Sequence, residues 1–132
     1  VLAYLLHDAG YEVYEVPDVE PALHRLRESE SRMSESRMVV LLDMNMPGMD
    51  GKTLLRAVAE HDTLATQHAF ILMTANEQPL HLTFVTLLLD LRVSILAKPF
   101  DIDHLLDVVR HAEQRLARAE VLLPEQPQDT AP

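Results

Sequence analysis

Hydrophobic and polar positions divide the chain into alternating short strands and amphipathic helices. An apolar helix, Val1 to Ala9, closes on Gly10, a normal helix stop. Tyr11-Glu12-Val13-Tyr14-Glu15-Val16 then alternates with period two and predicts a half-buried strand. Pro17-Asp18 turns the chain, and Asp18 opens a helix whose buried side is Ala22, Leu23 and Leu26. Met38-Val39-Val40-Leu41-Leu42 is apolar throughout, as a strand covered on both faces must be.

The second half repeats the alternation. Gly51 and Lys52 open a helix with Leu54, Leu55, Val58 and Ala59 facing inward, which His61-Asp62 ends. Ala69 to Met73 predicts a strand running into Thr74, and a helix from about Pro79 to Leu91 precedes a strand over Val93 to Leu96. Asp101 caps a final amphipathic helix carrying Leu105, Leu106, Val109, Ala112 and Leu116. Strands alternating with helices at this spacing imply an α/β fold, a parallel sheet covered on both faces. The expected domain spans 1–123. The polar, proline-rich tail 124–132 reads as disordered or as a linker. The repeat of Ser29-Glu30-Ser31-Arg32-Met33 as Ser34 to Met38 reads as a lengthened surface loop.

Composition narrows the functional classes. A length of 132 residues suits one domain, and 48% apolar residues supply a core. A formal charge of −10 argues against direct nucleic-acid binding, because a phosphate backbone is held by Lys and Arg. No segment has the apolar length of a membrane span, and the lack of cysteine fits a reducing cytoplasm. Only Lys52 and Lys98 are lysines among eleven basic residues.

The chemistry gathers where strands end. The Met38 strand delivers Asp43 to a turn rich in Pro and Gly, Met44-Asn45-Met46-Pro47-Gly48-Met49-Asp50-Gly51. That is how a sheet presents a reactive carboxylate at its carboxyl edge. The Ala69 strand ends in Thr74, and the Val93 strand runs into Lys98-Pro99-Phe100. Other readings fit less well. As a calcium loop starting at Asp43, the run would place Pro47 at its fifth position and Leu54 at its twelfth, where oxygen ligands are needed. The seven histidines, His7, His24, His61, His68, His81, His104 and His111, show no metal-ligand pairing and read as solvated surface. A phosphatase-like enzyme with Asp43 as nucleophile lacks a second catalytic acid.

Taken together, these residues resemble the receiver domain of two-component response regulators, over nearly the whole chain. The resemblance implies a doubly wound, flavodoxin-like parallel sheet in receiver order 2-1-3-4-5. It implies Asp43 as phosphoacceptor, Lys98 as the fixed positive charge, Thr74 as a hydroxyl donor to a phosphoryl oxygen, and a Lys98-Pro99 bond in the cis form. It also implies Mg2+ held by Asp43 and the Asn45 backbone carbonyl. Receivers open with an apolar strand and an acidic pair that complete the metal site, and here the first strand is missing: the chain starts inside the first helix and reads as clipped. The expected result is a gap between the Tyr11 and Met38 strands, filled by an inward shift of the Tyr11 strand or by a partner's strand, with metal binding weak or absent.

The implied function is a signalling switch, not a metabolic enzyme, that takes a phosphoryl group from a histidine kinase or phosphotransfer protein. Ile95 stands where receivers usually carry an aromatic switch residue, and Leu91-Arg92 replaces a usual Gly-Ala pair. The Leu80 to Leu91 helix carries Leu80, Leu82, Phe84, Val85, Leu87, Leu88, Leu89 and Leu91, more than one stripe can bury. A homodimer through that helix is one expectation. The rival reading is a phosphorylation-independent interaction module on the same scaffold.

Overall fold

The computed structural model describes residues 2–31, 37–44, 51–75, 81–116 and 120–124. In chain order the elements are α1 (Leu2–Asp8), β1 (Val13–Val16), α2 (Val19–Ser31), β2 (Met38–Asp43), α3 (Gly51–Ala59), α4 (Asp62–Gln67), β3 (Ala69–Thr74), α5 (Leu82–Asp90), β4 (Ser94–Ala97), α6 (Ile102–Leu116) and β5 (Glu120–Pro124). All strand pairings are parallel, in the order β1-β5-β2-β3-β4. This is the doubly wound, flavodoxin-like sheet the sequence implies.

The period of two along each strand decides which residues meet which helices. Val39 and Leu41 of β2, Ile71 and Met73 of β3, and Val121 and Leu123 of β5 pack with Leu2 and Leu6 of α1 and Leu105, Val109, Ala112 and Leu116 of α6. Val40, Leu42, Phe70, Leu72 and Leu122 face the other way, against α2, α3, α4 and α5. Both sheet faces are therefore covered, and β2 and β3 are buried throughout, apart from half-buried Thr74 at the end of β3.

Local signals set several boundaries. Gly10 has φ 103°, and the Tyr11 N–H reaches back to the Leu6 carbonyl at 3.1 Å, which ends α1 in a left-handed glycine cap. The Asp101 carboxylate accepts the His104 N–H at 2.8 Å at the start of α6, as its capping role predicts.

The middle of the sheet corrects the expected gap. The strand between β1 and β2 is β5, supplied by the same chain from its other end, with Val121 beside Val13 on one side and Val39 on the other. Neither an inward shift of the Tyr11 strand nor a partner is needed. The run Glu120 to Pro124 carries the apolar trio Val121-Leu122-Leu123, and all three are buried to within 1%. Pro124, placed by sequence at the start of the tail, is the last residue of β5.

Two further differences concern short elements. The helix α4 follows the predicted stop at His61-Asp62, and six residues with one buried apolar anchor, Leu64, are too few to show a helical period. His68 is not solvated surface. It is 3% exposed, and its Nδ1 accepts the Met38 N–H at 3.0 Å, joining the starts of β2 and β3.

Candidate functional site

The carboxyl edge of the sheet carries the candidate chemistry. Asp43 ends β2 in register with Met73, and the Met44 N–H continues the pairing to the Met73 carbonyl at 3.0 Å. Thr74 ends β3 in register with Ala97, the last residue of β4, and its carbonyl accepts the Lys98 N–H at 2.7 Å. Parallel strands in register thus bring Asp43, Thr74 and Lys98 to adjacent positions along one edge. The Lys98-Pro99 bond is cis, as the resemblance implies.

Asp43 is 3% exposed, and its Oδ2 accepts a hydrogen bond from Lys98 Nζ at 2.5 Å. The lysine side chain stays 27% exposed, so the pair is buried on the acid side and open on the amine side. A carboxylate removed from water requires such a partner, because an unpaired buried charge costs several kcal/mol. The ammonium that neutralises Asp43 therefore also reaches the solvent side of this edge.

The start of α3 packs at ordinary contact distance against the end of β2. A Cβ on Gly51, at the start of α3, would sit 3.5 Å from Leu42 Cβ and Leu72 Cδ1 and 4.0 Å from the Asp43 carbonyl, so this helix starts against the strand that bears the acid. Asn45 and the rest of the turn through Asp50 lie outside the described residues.

A divalent cation needs several oxygen ligands. Among the described residues no group of three or more acidic, His or Cys side chains is placed to hold one, and Asp43 already serves Lys98. Asp8 ends α1 and precedes the start of β1, which puts it at the amino edge, away from Asp43. The described donors therefore do not fit a metal by themselves.

Sequence reading missed His68. Burial pushes its imidazole down to about 4, with Arg37 acting in the same direction and the Leu26 carbonyl opposing it. Among the described residues its Nε2 makes no well-formed hydrogen bond, and the Leu26 carbonyl is only a weak counterpart to it. One histidine just ahead of an apolar strand carries no sequence signal of burial.

The comparisons agree with the fold. The model of the response regulator receiver domain matches residues 1–110, and the chain belongs to that family. Among solved structures the chain is similar to a CheY-like response regulator receiver domain protein from Methanospirillum hungatei JF-1, with a TM-score of 0.68 and 24% identity over 89% of this chain and 86% of that one. At that identity the likeness speaks for the fold. No curated protein matches the sequence. The family match ends within α6, so the strand that completes the sheet lies beyond it. No helix among the described residues is long and apolar enough to cross a membrane.

Proposed function

We propose that this domain is a phosphoacceptor switch in two-component signalling, receiving a phosphoryl group on Asp43 from a phosphohistidine of a histidine kinase or phosphotransfer protein in the cytoplasm. The observation that carries this reading is the buried Asp43 carboxylate held by Lys98 at the carboxyl edge of a receiver sheet. An Asp43 oxygen attacks phosphorus as the P–N bond of the donor breaks, and the nitrogen lone pair leaves with the donor imidazole. Lys98 passes from the carboxylate to the phosphoryl oxygens as negative charge arrives there. Thr74, on the neighbouring strand, supplies a hydroxyl to the same group. The chemistry is group transfer onto the protein, not turnover of a metabolite.

Magnesium is the cation this reaction uses in the family, and it would supply further charge neutralisation. Asp43 and the Asn45 carbonyl are the residues proposed to hold it. Since the described donors are too few, no step above depends on it. The transfer is tested with a phosphohistidine-bearing phosphotransfer protein as donor: label should pass to the wild-type chain and not to Asp43→Asn.

The second reading, a phosphorylation-independent interaction module, is favoured by one observation. Leu82 and Leu89 on α5 are 78% and 73% exposed, and Ile95 on adjacent β4 is 46% exposed. The same apolar face is the one we propose for a homodimer. In this reading the interaction persists in Asp43→Asn.

A further inference from the structure

At the amino edge of the sheet, opposite Asp43, the ends of α4, α5 and α6 surround a cavity of about 400 Å³. It is a cleft open to solvent, lined by Arg92 and Arg115 together with Thr66 and Asp90, all four exposed. Arg92 has φ 55°, the only positive φ at a non-glycine position among the described residues. It occupies the left-handed cap of α5, a place glycine takes without strain. The turn therefore needs a residue that tolerates positive φ, and nothing in the turn itself calls for a guanidinium.

The helix ends do not require the added charge either. The carbonyls of Leu64, Leu87, Leu88 and Leu89 accept the N–H groups of His68, Leu91, Val93 and Arg92, and the Leu116 carbonyl accepts Arg37 Nη1 at 3.1 Å. Arg115 Nη1 reaches the Arg92 carbonyl at 3.4 Å, which links the two residues without neutralising either. The ion pairs of His24 with Glu28, Lys98 with Asp43 and Arg110 with Asp107 lie elsewhere, and among the described residues no carboxylate forms an ion pair with either cavity arginine. Among the described lining residues Asp90 is the one acid opposing two positive charges.

We propose that this cavity binds a small oxyanion of the phosphate type, held by Arg92 and Arg115. Guanidinium groups present paired N–H donors that match phosphate oxygens, and the volume admits a phosphate monoester. The strain at Arg92 is retained because the side chain serves the ligand. The site is separate from the phosphoacceptor and does not rest on that function.

The test is titration of the full chain with inorganic phosphate, and with acetate for comparison, followed by calorimetry and amide chemical shifts. Phosphate should bind saturably and more tightly than acetate, with shifts centred on Ala65, Ala69 and Leu91. Arg92→Gly should weaken binding by at least about tenfold while raising the urea midpoint, because glycine relieves the left-handed backbone. Arg115→Gln should weaken binding and Asp90→Asn should tighten it. Absence of saturable binding, shifts centred on Asp43, wild-type affinity in Arg92→Gly, or a lowered midpoint in that variant would each overturn the assignment.

Discussion

Val39 and Val121 lie side by side in the centre of the sheet, although β2 and β5 come from opposite halves of the chain. Among the described strands the pairing makes β5 the one that joins β1 to the remaining three. Truncating a buried side chain there should weaken the whole fold. Leu122→Ala, at a position 1% exposed, is expected to cost about 3 kcal/mol in urea unfolding. Leu89→Ser, at an exposed position on α5, should change stability by less than about 0.5 kcal/mol. Equal effects in the two variants would mean that β5 does not hold the middle of the sheet.

Stability should also depend on His68. Its folded-state value of about 4 lies below the usual 6.5, so between these values the unfolded chain binds more protons than the native one. Its stabilising contribution is complete above about pH 6.5, falls as pH drops, and is gone near pH 4, a loss on the order of 3 kcal/mol. Protonation also turns Nδ1 into a donor facing the Met38 N–H donor. Urea unfolding of wild type and His68→Gln across this range should show the difference between them shrinking as pH falls. A difference independent of pH would contradict the burial argument.

The Asp43–Lys98 pair should behave as a unit. Lys98→Ala leaves a buried carboxylate without its ammonium and is expected to cost about 2 kcal/mol, less than a fully buried pair because the lysine is partly exposed. Adding Asp43→Asn removes the stranded charge and should recover part of that loss. Additive effects in the double-mutant cycle would show that the two groups are not coupled in solution.

Much of this was legible in the sequence because periodicity and strand-end residues report it directly. The apolar run ending at Asp43 fixes a buried strand with its acid at the edge, and Asp101 marks the start of α6. The strand Glu120–Pro124 was not legible. Val121-Leu122-Leu123 is too short to tell a strand from a helix end, and it adjoins a polar, proline-rich stretch. The resemblance implies a vacancy between β1 and β2, but that the far end of the same chain fills it is decided in three dimensions and not along the chain. Likewise, the register of β3 on β4 that sets Lys98 beside Thr74 follows from tertiary pairing.

Magnesium should bind weakly. With no group of three or more acidic, His or Cys side chains among the described residues placed to hold it, and with Asp43 already paired, titration should leave amide shifts unchanged until the cation is in large excess. Tight, saturable binding would require another acid. Glu125 follows β5 in the sequence, and Glu125→Gln is then the variant that identifies it.

The most direct measurement of the central claim is intact-mass analysis after incubation with acetyl phosphate and excess magnesium. The account predicts one added phosphoryl group on the wild-type chain, mapped to Asp43, and none on Asp43→Ala. A phosphoryl group that persists in Asp43→Ala, or a wild-type chain that gains none under these conditions, would contradict it.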